Sequence, residues 1–124
     1  MVTRGKNRRL DRVGDLVRSC LAEILLRGLQ DPRVKAGLVT ITDVEVSPDI
    51  RHAKVWVSIV GDEAAQKAAL EGLAAAAGYL RRELGQRIQT KYTPALRFER
   101  DTSAEEGAWV EQTLAKIDSE REDA

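Results

Sequence analysis

Apolar residues recur along the first part of the chain with a helical beat. Val13, Leu16, Val17, Cys20, Leu21, Ile24 and Leu25 fall at i, i+3, i+4, i+7, i+8, i+11 and i+12, the spacing of one buried helix face. The pattern predicts a helix over residues 11–29, ended by Gly28 and by Asp31-Pro32-Arg33. The beat then changes to alternation over 39–47. Val39 and Ile41 share one parity, Val44 and Val46 the other. The slip at Thr42–Asp43 predicts a β-bulge. Ser47-Pro48-Asp49 is a turn. Residues 51–60 alternate again, with Ala53, Val55, Val57 and Ile59 on one face and His52, Lys54, Trp56 and Ser58 on the other. The short turn predicts an antiparallel hairpin.

Helical spacing returns after Gly61. Asp62 is placed to cap a helix over 63–77, and a second helical stretch over 79–90 carries Leu80, Leu84 and Ile88 on one face. Pro94 opens a third strand, with Leu96 and Phe98 inward and Arg97 and Glu99 outward. Ser103 and Glu106 have capping-box spacing and predict a last helix to about residue 117, with Val110, Leu114 and Ile117 as its apolar side. The connection between the second and third strands is long enough for a helical crossover, so those strands are expected to run parallel. The predicted architecture is α+β: a three-stranded mixed sheet with helices mainly on one face. Residues 10–117 form the domain, 1–9 a flexible basic N-terminus and 118–124 an acidic disordered tail.

One residue contradicts its surroundings. "LAAAAGYLRREL" is strongly helical on both sides of Gly78, yet glycine costs a helix roughly 1 kcal/mol relative to alanine. Either another backbone packs closely there or the helix is interrupted by design.

Charge changes the picture where composition does not. The chain has 124 residues, 43% hydrophobic and 32% charged, with a formal net charge of zero, an ordinary globular composition. The zero hides an uneven distribution. Arg4, Lys6, Arg8, Arg9 and Arg12 against Asp11 give residues 1–12 a net +4. Arg81, Arg82, Arg87, Lys91, Arg97 and Arg100 against Glu83 and Glu99 give residues 81–100 another +4, while residues 101–124 carry −6. Two basic zones set against an acidic end suit a polyanion partner as well as they suit solvated helix surface. No apolar run has the roughly 18–20 residues of a membrane span, and the basic start lacks the apolar core of a secretory signal. A cytoplasmic location without membrane attachment is expected.

Candidate chemistry is sparse. The single His52 cannot supply a second imidazole for a metal pair. The single Cys20 lies within the apolar stripe, away from a plausible base. Neither a phosphate-cradling Walker loop nor a dinucleotide fingerprint occurs. Asp31, Asp43, Asp49, Asp62 and Asp101 stand at predicted turns and element ends, where aspartate ordinarily caps. Neither a catalytic site nor a metal, cofactor or small-molecule substrate is expected. Around Gly78 the pattern is more suggestive. A helix that restarts after the glycine offers free N–H groups and a positive dipole end, with Arg81 and Arg82 within a turn. With aromatics only 4% of the chain, base stacking cannot dominate an RNA interface, and backbone contacts with strong salt dependence are expected.

Taken together, "RVGDLVRSCLAEILLRGLQDPRV", "VTITDVEVSPDIRHAKVWVSI" and "AAGYLRRELGQRIQTKYTPALRFERDTSAEEG" resemble the bacterial ribosome-binding factor A family over residues 8–117. The resemblance implies a type II KH-like fold in which the usual glycine loop between two helices is replaced by an interruption at Ala76-Ala77-Gly78. It implies no enzymatic activity. It implies a ribosome-assembly factor, monomeric off the ribosome, that binds the small ribosomal subunit and its rRNA during late maturation and supports rRNA processing and cold adaptation. The family's basic face maps onto Arg81, Arg82, Arg87 and Lys91, with Arg4, Lys6, Arg8, Arg9 and Arg12 as helpers. Ala95 stands where the family often has Glu and Lys91 where Arg is common, and the acidic tail is short.

Overall fold

The computed structural model describes residues 8–35, 38–90 and 92–102. They form, in order, α1 (Arg8–Leu26), β1 (Val39–Val46), β2 (His52–Ile59), α2 (Glu63–Ala75), α3 (Ala77–Arg87) and β3 (Ala95–Arg100). The predicted helix over 103–117 with its Ser103–Glu106 capping box, and the tail over 118–124, lie outside the described residues.

The α1 stripe buries Gly14, Val17, Leu21, Ile24 and Leu25. The helix begins three residues before the expected Asp11, because Leu10 and Val13 also pack against the core, so Arg8 and Arg9 belong to its first turn. It ends three residues before the expected Leu29. Gly28 takes φ 88° and donates its N–H to the Leu25 carbonyl at 3.0 Å, a left-handed cap that glycine adopts without steric cost.

The sheet order is β1-β2-β3, with β1 antiparallel and β3 parallel to β2. The predicted bulge is present: the pairing steps from Ile41↔Val57 to Asp43↔Trp56, leaving Thr42 as the extra residue. Its hydroxyl turns to the Asp101 carboxylate at 2.6 Å, which ties the end of β3 across β2 to the bulge. The β1–β2 turn is locked by its own side chains. Ser47 Oγ donates to the Asp49 carboxylate at 2.6 Å and accepts the His52 N–H at 3.0 Å. Ile50 is held there at φ 60° with its side chain buried. A β-branched residue resists that conformation, and burial of its sec-butyl side chain offsets the strain.

Helices cover one face of the sheet. Val44, Val46, Ala53, Val55, Val57 and Ile59 are buried beneath them with Leu73, Leu80, Leu84 and Ile88. His52, Lys54, Trp56 and Ser58 alternate to the other side, and Lys54 Nζ sits 5.3 Å from the Trp56 ring. Leu96 and Phe98 pack against the core from β3, while Arg97 is exposed and pairs with Glu99 at 3.0 Å. Two glycines permit this packing. A Cβ on Gly14 would stand 2.7 Å from the Val44 carbonyl oxygen, and one on Gly72 would stand 2.7 Å from Val34 Cγ2 and 3.2 Å from Arg33 Cβ. The order helix-strand-strand-helix-helix-strand with a mixed sheet is the type II KH-like arrangement.

Candidate nucleic-acid interface

Asp62 caps α2 as predicted, accepting the Ala65 N–H at 2.8 Å. The interruption lies within the expected Ala76-Ala77-Gly78, but at its first member rather than at the glycine. Ala76 has φ −86° and ψ −1° and serves as the C-cap of α2 and the N-cap of α3. The α3 ladder is already established when Leu80 donates to the Ala76 carbonyl at 2.9 Å. Gly78 therefore lies inside the first turn of α3. It is exposed, its φ is not positive, and a Cβ there would meet nothing within 4 Å among the described residues. Neither close backbone packing nor a left-handed conformation accounts for this glycine.

The joint was expected to be a cationic notch. Instead it borders a cavity of about 410 Å³ lined by Ala75, Ala76 and Tyr79 on the helix side and by residues 28–31 on the other. The charge at its rim is the Asp31 carboxylate, which accepts from Arg33 Nε at 3.0 Å and Nη2 at 2.6 Å. The guanidinium beside it holds the Asp31 carboxyl down at about 2, so the two charges cancel locally.

The basic residues after the joint do not act as one group. Successive residues turn by about 100° on a helix, so Arg81, Arg82 and Arg87 leave α3 in three directions. Arg81 donates from Nε and Nη2 to the Thr93 carbonyl at 3.1 and 2.9 Å, fastening the turn that precedes β3. Arg87 is half-buried and donates from Nη1 to the Glu83 carboxylate at 2.8 Å, which raises its pKa further. Arg82 is exposed and makes no ion pair or hydrogen bond with the described residues. Arg97 is matched by Glu99, and Arg100 donates to Gln66 Oε1 at 2.6 Å. Arg87 and Arg97 are thus offset by carboxylates, Arg81 and Arg100 are anchored by neutral acceptors, and Arg82 extends outward. Lys91 lies outside the described residues, as do Arg4 and Lys6.

A second basic area forms about the β1–β2 turn. Gly14 lies over Val44 and Val46, so the first turns of α1, with exposed Arg8, Arg9 and Arg12, lie toward the β1–β2 turn. That turn contributes Arg51, whose guanidinium lies 4.4 Å above the Tyr92 ring. The backbone keeps the pair together, since the Arg51 carbonyl accepts the Ala95 N–H at 2.8 Å. Arg51 carries no local signal that separates it from any strand-end residue; its aromatic partner comes from the α3–β3 connection. Cys20 is half-buried, and burial and the nearby Glu23 push its thiol up, away from a reactive thiolate. Among the described residues there is no group of acidic, His or Cys side chains able to hold a metal, and no helix is long and apolar enough to cross a membrane.

The family model described as "Ribosome-binding factor A" matches residues 9–114. The chain belongs to the ribosome-binding factor A family. A ribosome-binding factor A of Halothermothrix orenii is 44% identical over 117 residues, covering 94% of each chain. The crystal structure of ribosome-binding factor A from Thermus thermophilus matches 73% of this chain and 94% of its own with a TM-score of 0.63 at 27% identity. A homology model of the Thermus thermophilus factor, fitted into the cryo-EM map of its complex with the 30S particle, matches 72% of this chain and 91% of its own with a TM-score of 0.58 at 28% identity. Membership of this family agrees with the KH-like order of elements.

Proposed function

We propose that this protein is a ribosome-assembly factor that binds the small ribosomal subunit and its rRNA during late maturation, and that it supports rRNA processing and growth in the cold. The observation that carries this reading is the 28% identical relative placed in a 30S complex. The charge arrangement supports it. Arg82 on α3 and Arg8 and Arg12 on α1 extend into solvent without an ion pair to the described residues, and the Arg51 guanidinium lies over the Tyr92 ring. Long cations of this kind neutralise rRNA phosphates and release counterions. Each contact is screened and weak, so affinity is a sum and falls steeply with salt. The protein acts by occupancy: it holds a local rRNA conformation and blocks premature use of the particle until maturation is complete. It carries out no turnover.

Sedimentation of a cell lysate through sucrose gradients at low and high salt tests this. The protein co-migrates with free small subunits at low salt and leaves them at high salt. Remaining at the top of the gradient under gentle conditions would refute the reading. Arg82→Glu, at a position whose side chain makes no hydrogen bond or ion pair with the described residues, leaves the thermal midpoint unchanged, weakens subunit binding and lowers the log–log salt slope by about one. Arg81 is a poorer probe, because its loss also frees the Thr93 carbonyl.

A further inference from the structure

The cavity beside the α2–α3 joint bears no unpaired cation, and phosphate binding does not explain its walls. It measures about 410 Å³, and small residues, Gly28, Ala75 and Ala76, keep it open. Tyr79 lines it and remains 44% exposed. Gln30 is exposed at the same cavity and its side-chain amide makes no hydrogen bond with the described residues, so it offers both donors and an acceptor. The Asp31 carboxylate adds acceptors, and Arg33 cancels the charge that would otherwise repel a polyanion. Arg82 follows Tyr79 by three residues on α3, which makes the two neighbours on the helix surface. An aromatic platform, a polar edge and an adjoining unpaired guanidinium match the face, the edge and the phosphate of one nucleotide.

We propose that this cavity receives a single unstacked base of single-stranded rRNA, stacked on Tyr79 with its edge toward Gln30 and Asp31. This rests on rRNA being the partner, and it adds a contact that the cationic surface alone does not make. An apolar protein side chain would use the same walls but would leave the Gln30 amide and the neighbouring Arg82 without a role.

The test compares the full-length protein with Tyr79→Phe, Tyr79→Leu and Tyr79→Ala for binding to purified small subunits over a range of salt. Stacking on an aromatic ring predicts that Tyr79→Phe binds within about twofold of the parent, while Tyr79→Leu and Tyr79→Ala each weaken binding on the order of tenfold with an unchanged salt slope. A parallel NMR titration uses short oligoadenylate and an abasic ribose-phosphate strand of equal length. The amide signals of Gly28, Gln30 and Tyr79 are expected to move with the first and stay with the second. Parental affinity in Tyr79→Ala, or equal shifts with both strands, overturns the proposal and leaves the subunit reading intact. Parental affinity in Tyr79→Leu overturns it in favour of an apolar protein segment. Failure of the parent protein itself to bind small subunits removes the subunit reading, and this proposal with it.

Discussion

The two helices that meet at Ala76 use glycine in opposite ways. In α2, Gly72 is buried, and the segment around Arg33 and Val34 comes so close that a methyl group has no room. In α3, Gly78 is exposed, and among the described residues nothing lies within 4 Å of where a Cβ would stand. Both residues lie within helices, both carry the same intrinsic cost, and only six positions separate them. The first glycine is required by the protein's own packing. The second is not, so its cost is either unopposed or opposed by something that approaches from outside. A helical glycine is therefore explained by what faces it, and a one-chain sequence does not print that.

Substitution to alanine at each position sharpens this contrast. Gly72→Ala is expected to have the largest effect. Val34 is β-branched and buried, so its methyl cannot swing away without leaving its rotamer. Overpacking of about 1–3 kcal/mol, less a gain in helix propensity of about 1 kcal/mol, leaves a destabilisation of up to about 2 kcal/mol, measured by urea denaturation. An unchanged midpoint would show that the segment yields and that the two glycines are equivalent after all. Gly78→Ala should have the opposite sign, a stabilisation of up to ~1 kcal/mol, because nothing is displaced and the unfolded chain loses freedom. If this more stable variant also binds small subunits more weakly, the glycine is kept for its ligand. If it binds as well as the parent, the glycine carries no function at the joint.

The same contrast marks what the sequence could disclose. The order of the six described elements, the Thr42 bulge, the inward face of β2 and the Asp62 cap all follow from local spacing, and all are present in the structure. Element ends were less legible. Leu10 extends α1 backward because it finds the core, and Gly28 stops the helix one turn earlier than the apolar count suggests. Propensity points to Gly78, the poorest helix former of the stretch, as the break, whereas the bend is made by the single residue Ala76, whose ψ departs from helical values. Among the candidate interface residues, charge was legible and availability was not. Nothing local distinguishes Arg82, which has no side-chain partner among the described residues, from Arg81, which holds Thr93, or from Arg87, which holds Glu83. Arg51 was missed because its significance depends on Tyr92, remote in sequence.

The smallest expected effect lies in the segment that Gly72 receives. Asp31 and Arg33 clamp that segment through three side-chain hydrogen bonds and a fourth from the Arg33 N–H to Asp31 Oδ1 at 2.9 Å. These contacts hold the Asp31 carboxyl at about 2, below its usual value near 3.9. A depressed carboxyl stabilises the fold at pH above the unfolded value, and that contribution fades as the pH falls from about 4 through about 2. Both groups are partly exposed, so the contribution to global stability is small and screened. The local readout is clearer. Titration of the Asp31 side chain by NMR should give a midpoint near 2, and Arg33→Gln should move it up toward the ordinary carboxylate range. Acid should then perturb the amide signals of Val34 and Gly72 while those of Gly78 stay in place. Movement of both glycines together would mean that the two sides of Ala76 respond as one unit, and the distinction between a glycine held by packing and a glycine left open would lose its basis.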